Sequence, residues 1–401
     1  MKKYLYGTTS LVGVGLLAGA SPAQAEPQPI HLELGGFFHQ WQGFVDTDHC
    51  QGGGRQSDCN DVDIVQVGEV YFKIRGELDN GIEVGGRIEL ETQQDTDVID
   101  AARADISGPF GHIQLGQEDS ARHNWAFDTA APNEGILINS GWETAFAATS
   151  QNTFGLLRPT HSTALDFSDK APKVTYFTPR FNGFQFAVSW TPDTQTALGS
   201  NPVGVGGGSG PGSLQFGTAN EEQTYTNAID IGAHYSGEFE GVGITAQAGW
   251  GTVDTPDQLS NAYGGESDSD PNIYQAGLAI SAGGFTVAGG WARVDHGLLL
   301  DDGGLAQRTD GHSWTIGAGY GAGPWAFSVG YMHGEEEGSI LNDGNDENDF
   351  IQASASYALS PGLGVNVQYL HIDREADDEN GPDGGLDSDT DAVMLGVKVG
   401  F

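Results

Sequence analysis

The sequence ends in Asp391-Ala392-Val393-Met394-Leu395-Gly396-Val397-Lys398-Val399-Gly400-Phe401, and this stretch decides the fold. Successive side chains of a β-strand point to opposite faces of the sheet. One face of this strand is therefore continuously apolar and closes on the ring of Phe401, whereas the other carries small residues, Met394 and Lys398. A terminal aromatic is out of place on a soluble edge strand. It suits a strand that closes a barrel and places its ring at a membrane interface.

The same alternation recurs along the chain and predicts an all-β fold, a 16-stranded antiparallel transmembrane β-barrel. Glycine is abundant (62 residues), and β-branched and aromatic residues recur at alternate positions, which favours strands and turns over helices. The opposite faces of these strands are small or polar, which suits lipid outside and water inside. The predicted strands span residues 31–45, 64–78, 82–94, 98–107, 111–118, 173–179, 184–192, 224–236, 242–253, 272–281, 285–296, 312–321, 325–334, 349–359, 363–374 and 390–401.

Short and long connections alternate between the predicted strands. The short ones, such as 78–81, 180–183 and 282–284, are built from Gly, Asn and other turn residues. The others are mostly long, polar and acidic, so all short turns lie at one end of the barrel and all long loops at the other. That asymmetry is typical of an outer-membrane barrel. A soluble β-sandwich or propeller gives no reason for it and is the less favoured alternative.

Residues 1–25 are predicted to be a secretory signal peptide and residues 26–401 the barrel. Lys2 and Lys3 precede a short apolar run, and Ala23-Gln24-Ala25 is a small-residue cleavage site. An N-terminal membrane anchor is the alternative, but the apolar run is too short to span a bilayer.

In an exported protein, Cys50 and Cys59 are expected to form a disulfide. Zinc is the alternative, and it would need further ligands.

The formal net charge is −39, and it becomes −41 without Lys2 and Lys3. Nucleic acid is therefore excluded as a partner, because phosphate contacts need Lys and Arg. The acids cluster in the predicted loops, whereas a soluble halophilic protein would spread them over its surface.

Acidic stretches such as 387–391 offer oxygen ligands for calcium, but none has the spacing of an EF-hand. No metal or other cofactor is predicted, and calcium in these loops stays the alternative.

Two segments have a recognisable sequence: the strand-turn-strand over residues 172–190, centred on Pro179-Arg180-Phe181-Asn182-Gly183, and the strand Gly111-His112-Ile113-Gln114-Leu115-Gly116-Gln117-Glu118-Asp119. They resemble the corresponding segments of Gram-negative general diffusion porins, most closely the alphaproteobacterial branch. The resemblance implies a homotrimer in the cell outer membrane, with a water-filled channel for small hydrophilic solutes and ions. It also implies lipid contact and recognition of the C-terminal strand, with Phe401 as signal, by the barrel-assembly machinery. The short connection around residues 95–97 departs from the family, which often has a loop there that latches onto the neighbouring subunit.

In this family the third long loop folds inward and constricts the pore, and residues 119–171 match it as the longest gap between strands. Strand alternation turns four basic side chains toward the lumen on adjacent strands: Lys73, Arg75, Arg87 and Arg103. The resemblance implies that this basic wall faces an acidic loop, whose candidate residues are Glu118, Asp119, Asp128, Glu134 and Glu143. Alternatively, the basic residues pair within the lumen with Glu77, Glu83, Glu89 and Asp105. The acidic loops favour a weak cation preference.

Other functional classes require sequence features that are not evident in this chain. It has no G-x-S-x-G or H-E-x-x-H motif, so an enzyme is not predicted. A substrate-specific channel for a sugar or an anion would show an aromatic slide or an arginine ladder. Neither is clear in the sequence. A surface structural protein anchored by the same barrel is the remaining alternative, and it would conduct little.

Overall fold

The computed structural model describes residues 28–47, 61–92, 99–126, 159–160, 162–168, 170–194, 225–255, 270–300, 306–337, 344–376 and 387–401. The predicted signal peptide and the predicted Cys50–Cys59 disulfide lie outside these residues and stay predictions. Among the residues described, no helix is long and apolar enough to cross a membrane.

Sixteen antiparallel strands close into one barrel, as predicted, and each overlaps a predicted strand. The barrel strands are β1 (Gln28–Thr47), β2 (Val62–Glu77), β3 (Glu83–Glu91), β4 (Ile99–Gly108), β5 (Gly111–Gln117), β6 (Pro172–Phe177), β7 (Phe184–Asp193), β8 (Thr226–Phe239), β9 (Val242–Asp254), β10 (Asn272–Ala282), β11 (Phe285–Asp295), β14 (Gly311–Ala322), β15 (Trp325–Glu337), β16 (Asn345–Ser360), β17 (Leu363–Ala376) and β18 (Ser388–Gly400). Two short strands, β12 (Leu298–Leu300) and β13 (Ala306–Arg308), form a separate two-stranded sheet.

The barrel closes where the last strand meets the first. β18 pairs with β1 from Phe37↔Gly400 to Thr47↔Thr390. The Gly36 N–H donates to the Phe401 carbonyl oxygen and the Phe401 N–H donates to the Gly36 carbonyl oxygen, both at 3.0 Å. Closure leaves the barrel without an unpaired sheet edge, which is the condition for a β-structure to lie in hydrocarbon.

The outer wall is apolar and the inner wall is largely polar. On β18 the outward Val393, Leu395, Val397 and Val399 are each 43–48% exposed, whereas the side chains between them are buried. In a soluble protein the apolar side chains face the interior and the polar ones face the solvent, and this barrel has the opposite arrangement. A soluble monomer does not expose so large an apolar surface. The structure thus confirms the predicted alternation of apolar and polar faces.

Aromatic rings gather at the barrel end that carries the short turns. Their centroids lie 4.8 Å apart for Phe184 and Tyr235, 4.3 Å for Phe285 and Tyr320, and 4.6 Å for Trp325 and Tyr357. Such a belt is typical of a membrane interface. One of the short turns beside this belt depends on the residues that form it, because Asn182 and Gly183 have positive φ angles of 48° and 87°. Those angles suit a tight hairpin turn and exclude β-branched residues.

Buried apolar clusters lie on the inward faces, which differs from the expectation that those faces are small or polar throughout, and the two larger ones are the following. One joins loop residues to strands β8–β11: Leu165, Phe167, Tyr225, Ala228, Val253, Ile273, Ala292 and Val294. The other spans β1 and β15–β18: Trp41, Met332, Phe350, Leu370, Ile372, Ala392 and Met394. The first has a clear physical reason, since loop side chains pack there and need an apolar partner surface.

Candidate functional site

The chain between β5 and β6 contacts the inner wall on strands that are far apart. The Ala121 N–H donates to Ser189 Oγ of β7 at 2.9 Å. Further along, Ser313 Oγ of β14 donates to the Ser162 carbonyl oxygen at 2.7 Å, and Asn348 Nδ2 of β16 donates to the Thr160 carbonyl oxygen at 3.0 Å. The described parts of the predicted constriction loop therefore lie along the inside of the barrel, over strands β7 to β16.

The structure describes two limbs of this loop, a first limb over residues 119–126 and a second limb over residues 159–160 and 162–168. One arginine joins both limbs to the wall. Arg122 is fully buried, and its Nε donates to Asp230 Oδ1 of β8 at 2.8 Å. Its Nη1 donates to Gln275 Oε1 of β10 at 2.7 Å and to the Leu165 carbonyl oxygen. Asp166, also fully buried, lies 3.6 Å from Arg122 Nη2. We call Arg122, Asp166, Asp230 and Gln275 the Arg122 cluster.

Three of the four predicted basic residues stand in one row across the wall. Lys73 is directly opposite Arg87, and Arg87 is directly opposite Arg103. Like charges in register repel, so the row needs counter-charges. Arg87 forms an ion pair with Glu89 and lies 4.5 Å from the centroid of the Tyr71 ring, which Lys73 approaches at 5.5 Å. The fourth residue, Arg75, follows on β2 opposite Gly85 and is exposed.

Glu118 brings the loop and the basic row into direct contact. Its carboxylate forms ion pairs with Arg103 and, at 3.3 Å, with Lys170. Arg103 also lies 3.2 Å from Asp105 of its own strand. Basic residues of the row therefore pair with Glu89 and Asp105 of the wall and with Glu118 of the loop, and their role in a pore constriction stays a prediction. No open gap separates Arg103 from Glu118.

Asp119 is the second acidic loop residue that the structure describes, and its carboxylate lies 2.8 Å from Lys170 Nζ. Burial works to raise the pKa of Asp119, but the positive charges of Lys170, His123 and Lys173 outweigh it. They hold the pKa well below its usual range, so this carboxylate stays ionised. Asp128, Glu134 and Glu143 lie outside the described residues.

Several charged residues at this site were not among the predicted ones. Lys170 and Arg122 lie in the loop, where no periodicity exists to assign them a direction. Lys173 lies inward on β6, and its Nζ donates to the Glu118 carbonyl oxygen. Lys398, 5.2 Å from the Phe37 ring centroid, could have been found, because strand alternation already placed it on the inward face of β18.

Among the residues that the structure describes, one group of side chains could offer three metal-ligand atoms. His371, Asp389 and Asp391 have such atoms within 4.8 Å of one another, in the acidic stretch for which calcium was the alternative. They lie on the outer face of β17 and β18, and His371 Nδ1 is 3.2 Å from Asp391 Oδ1. Because the group lies on the outer face, it is not part of the lumen site, and exposed carboxylates are common without an ion.

A closed sixteen-stranded barrel with an apolar outer wall and a charged lumen defines a transmembrane channel protein. The chain belongs to the Gram-negative porin family, whose sequence model matches residues 7–377. It is therefore an outer-membrane diffusion channel, and family and fold point to a channel rather than an enzyme. No curated protein sequence gives a significant match.

Solved structures share the barrel at low sequence identity. An anion-selective porin from Comamonas acidovorans matches with a TM-score of 0.56 and 14% identity, covering 93% of this chain and 100% of that one. OmpT of Vibrio cholerae, in a trimer form, matches with a TM-score of 0.55 and 12% identity, covering 93% of this chain and 99% of that one. OmpF of Salmonella typhi in complex with daunomycin matches with a TM-score of 0.57 and 14% identity, covering 92% of this chain and 97% of that one. At these identities the likeness shows the fold alone.

Proposed function

We propose that the channel passes small hydrophilic solutes and ions passively, with a weak cation preference, and that residues 119–171 set its size limit. A barrel of this strand number is wide enough for an aqueous passage, so the wall by itself selects little. The observation that carries the proposal is the bonding of the loop to the inner wall through the Arg122 cluster and Asn348. A loop fixed inside the lumen narrows the passage to the space that it leaves.

The proposed cation preference rests on the balance of charge along this passage. Each described cation of the basic row lies beside a carboxylate or an aromatic ring, and the loops add further acids. Two unit charges ~10 Å apart interact by about 0.4 kcal/mol in water. Such energies bias the ions that pass, but they do not hold a ligand. Anion selectivity, the property named for the Comamonas acidovorans porin, is therefore not expected here.

A reversal-potential measurement in planar bilayers under a salt gradient tests this preference. We expect a small potential of the sign that cation passage gives, and we expect it to shrink as ionic strength rises, because salt screens the lumen charges. A potential of the opposite sign, or none at low salt, would contradict the preference. Competition between a sugar or an anion and the ion current would instead favour a substrate-specific channel.

We propose the same assembly that the family resemblance implies: a homotrimer surrounded by outer-membrane lipid and inserted by the barrel-assembly machinery through β18. The trimer form named for OmpT of Vibrio cholerae supports the subunit number by analogy. The paired backbone of Phe401 supports a role for the last residue in closing the barrel. Membership of the alphaproteobacterial branch, cleavage near Glu26 and the disulfide stay predictions.

We infer that the chain carries no catalytic activity and needs no cofactor. In the described lumen Glu89, Glu118 and Asp119 each pair with Arg or Lys, which suits electrostatic lining rather than a nucleophile beside an oriented base. Hydrolysis of an ester or peptide substrate by the pure protein would contradict this inference, as would a current that chelators abolish.

A further inference from the structure

We propose that a slot of glycines in the inner wall of β8 and β9, filled by Arg122, holds the loop in its conducting position. The inference rests on the proposed role of residues 119–171 as the constriction. The glycines make room for the loop, and the arginine binds the loop to the wall.

Three inward-facing glycines, Gly232, Gly249 and Gly251, lie where the first limb of the loop meets the wall. A Cβ added at Gly232 would lie 2.9 Å from Trp125 Cε3, and one at Gly249 would lie 2.5 Å from Arg122 Cγ. One at Gly251 would collide with Asp230 Oδ1. None of the three has a positive φ, so the fold needs them for space and not for backbone conformation.

The second limb of the loop meets the wall in the same manner. On β15 a Cβ added at Gly334 would collide with the carbonyl oxygen of Pro159 and the Cα of Thr160. The loop thus approaches the sheet closely at two distant places, through side chains at the first and through its backbone at the second, and glycine stands at each. Close approach of one backbone to another is a general reason for glycine inside a strand.

Arg122 supplies the binding that the slot permits. Its guanidinium contacts Asp230 and Gln275 of the wall, and also Leu165 and Asp166 of the other limb. Because Asp166 and Asp230 are at most 1% exposed, loss of Arg122 would leave two buried carboxylates without their cation. An uncompensated buried charge is strongly unfavourable, so the limb that carries Asp166 would leave the wall.

The barrel itself does not depend on this contact. β8 and β9 remain paired from Ile229↔Thr252 to Phe239↔Val242 through their own backbone hydrogen bonds. Release of the loop should therefore leave a folded, inserted barrel with a mobile charged segment in its lumen. A transmembrane voltage acts on such a segment, so closures should become frequent.

The test compares Arg122→Ala and Gly251→Ala with Gly321→Ala in the full chain. Gly321 is an inward glycine of β14 whose added Cβ would meet nothing within 4 Å, which makes it a matched control. Hydrogen exchange reports on residues 119–126 and 162–168 against the strands, and single-channel recording reports on the passage. Single-channel currents come only from inserted barrels, so a loss of folding yield does not imitate the effect.

We expect Arg122→Ala and Gly251→Ala to lose exchange protection in both loop segments while the strands stay protected. Their channels should close more often and at lower voltage than the wild type, and Gly321→Ala should match the wild type in both readouts. Unchanged loop protection in the two variants would overturn the proposal that the glycine slot holds the loop, whether or not the protein conducts. Lost protection with unchanged single-channel currents would overturn the proposal that the held loop shapes the passage. A wild type without current would instead refute the proposed channel function.

Discussion

Glu118 connects the charged residues of the wall with those of the loop. Its carboxylate contacts Arg103 of β4 and Lys170 of the loop, and its carbonyl oxygen accepts from Lys173. Glu118 thereby offsets the repulsion between Lys73, Arg87 and Arg103, which stand directly opposite one another.

Replacing Glu118 with Gln should shift the ion preference of the channel toward anions. The substitution removes one negative charge and leaves Arg103 and Lys170 less compensated, so the lumen potential becomes more positive. The reversal potential under a salt gradient measures the shift. Glu240→Gln, the same chemical change in an exposed turn outside the lumen, should leave it unchanged. Equal reversal potentials for Glu118→Gln and the wild type would contradict a role for Glu118 in ion preference.

Sequence alone placed the wall residues better than the loop residues. Lys73, Arg87 and Arg103 were predicted to face the lumen, because a strand gives each side chain one of two directions. Arg122 has no such rule to fix it, since it lies in an irregular segment and its partners Asp230 and Gln275 are more than 100 positions away. Its importance follows only from three-dimensional contacts.

At the scale of strands, β18 carries the clearest sequence signal and completes the closure of the barrel. Phe401 exchanges two backbone hydrogen bonds with Gly36, and its side chain is 67% exposed on the outside. Closure needs only the backbone, so the exposed ring is free for the proposed recognition by the assembly machinery.

We expect Phe401→Ala to reduce the amount of folded barrel in the outer membrane, because the ring that marks the last strand is gone. Phe239→Ala is the matched control, since Phe239 is 70% exposed at the short-turn end of β8. Heat-modifiable migration on gels measures the folded fraction. An equal loss in both variants would show that exposed aromatics matter only as interface anchors, and it would remove the special role of Phe401.

The sixteen barrel strands were predictable because each is long enough to show its alternation several times. β12 and β13 were missed, since three residues each give too few repeats. The inward apolar cluster of β15–β18 was missed for a different reason. There Phe350 faces inward and the adjacent Ile351 outward, so both faces are apolar and alternation no longer separates them.

At the scale of the whole molecule, the fold makes sense only in a membrane. Its outer wall exposes valine, leucine and aromatic side chains, and its inside holds the charged row, the Arg122 cluster and the described parts of the loop. Hydrocarbon outside and water inside satisfy both surfaces together. The net charge of −39 then acts mainly on what approaches and enters the channel.

Single-channel recording of the purified protein in a planar bilayer tests this account most directly. We predict discrete, uniform steps of current that scale with bulk salt concentration, as a water-filled passage through a folded barrel requires. Protein that inserts into the bilayer as folded barrels and yields no such steps would contradict the account, because a closed lumen cannot serve diffusion.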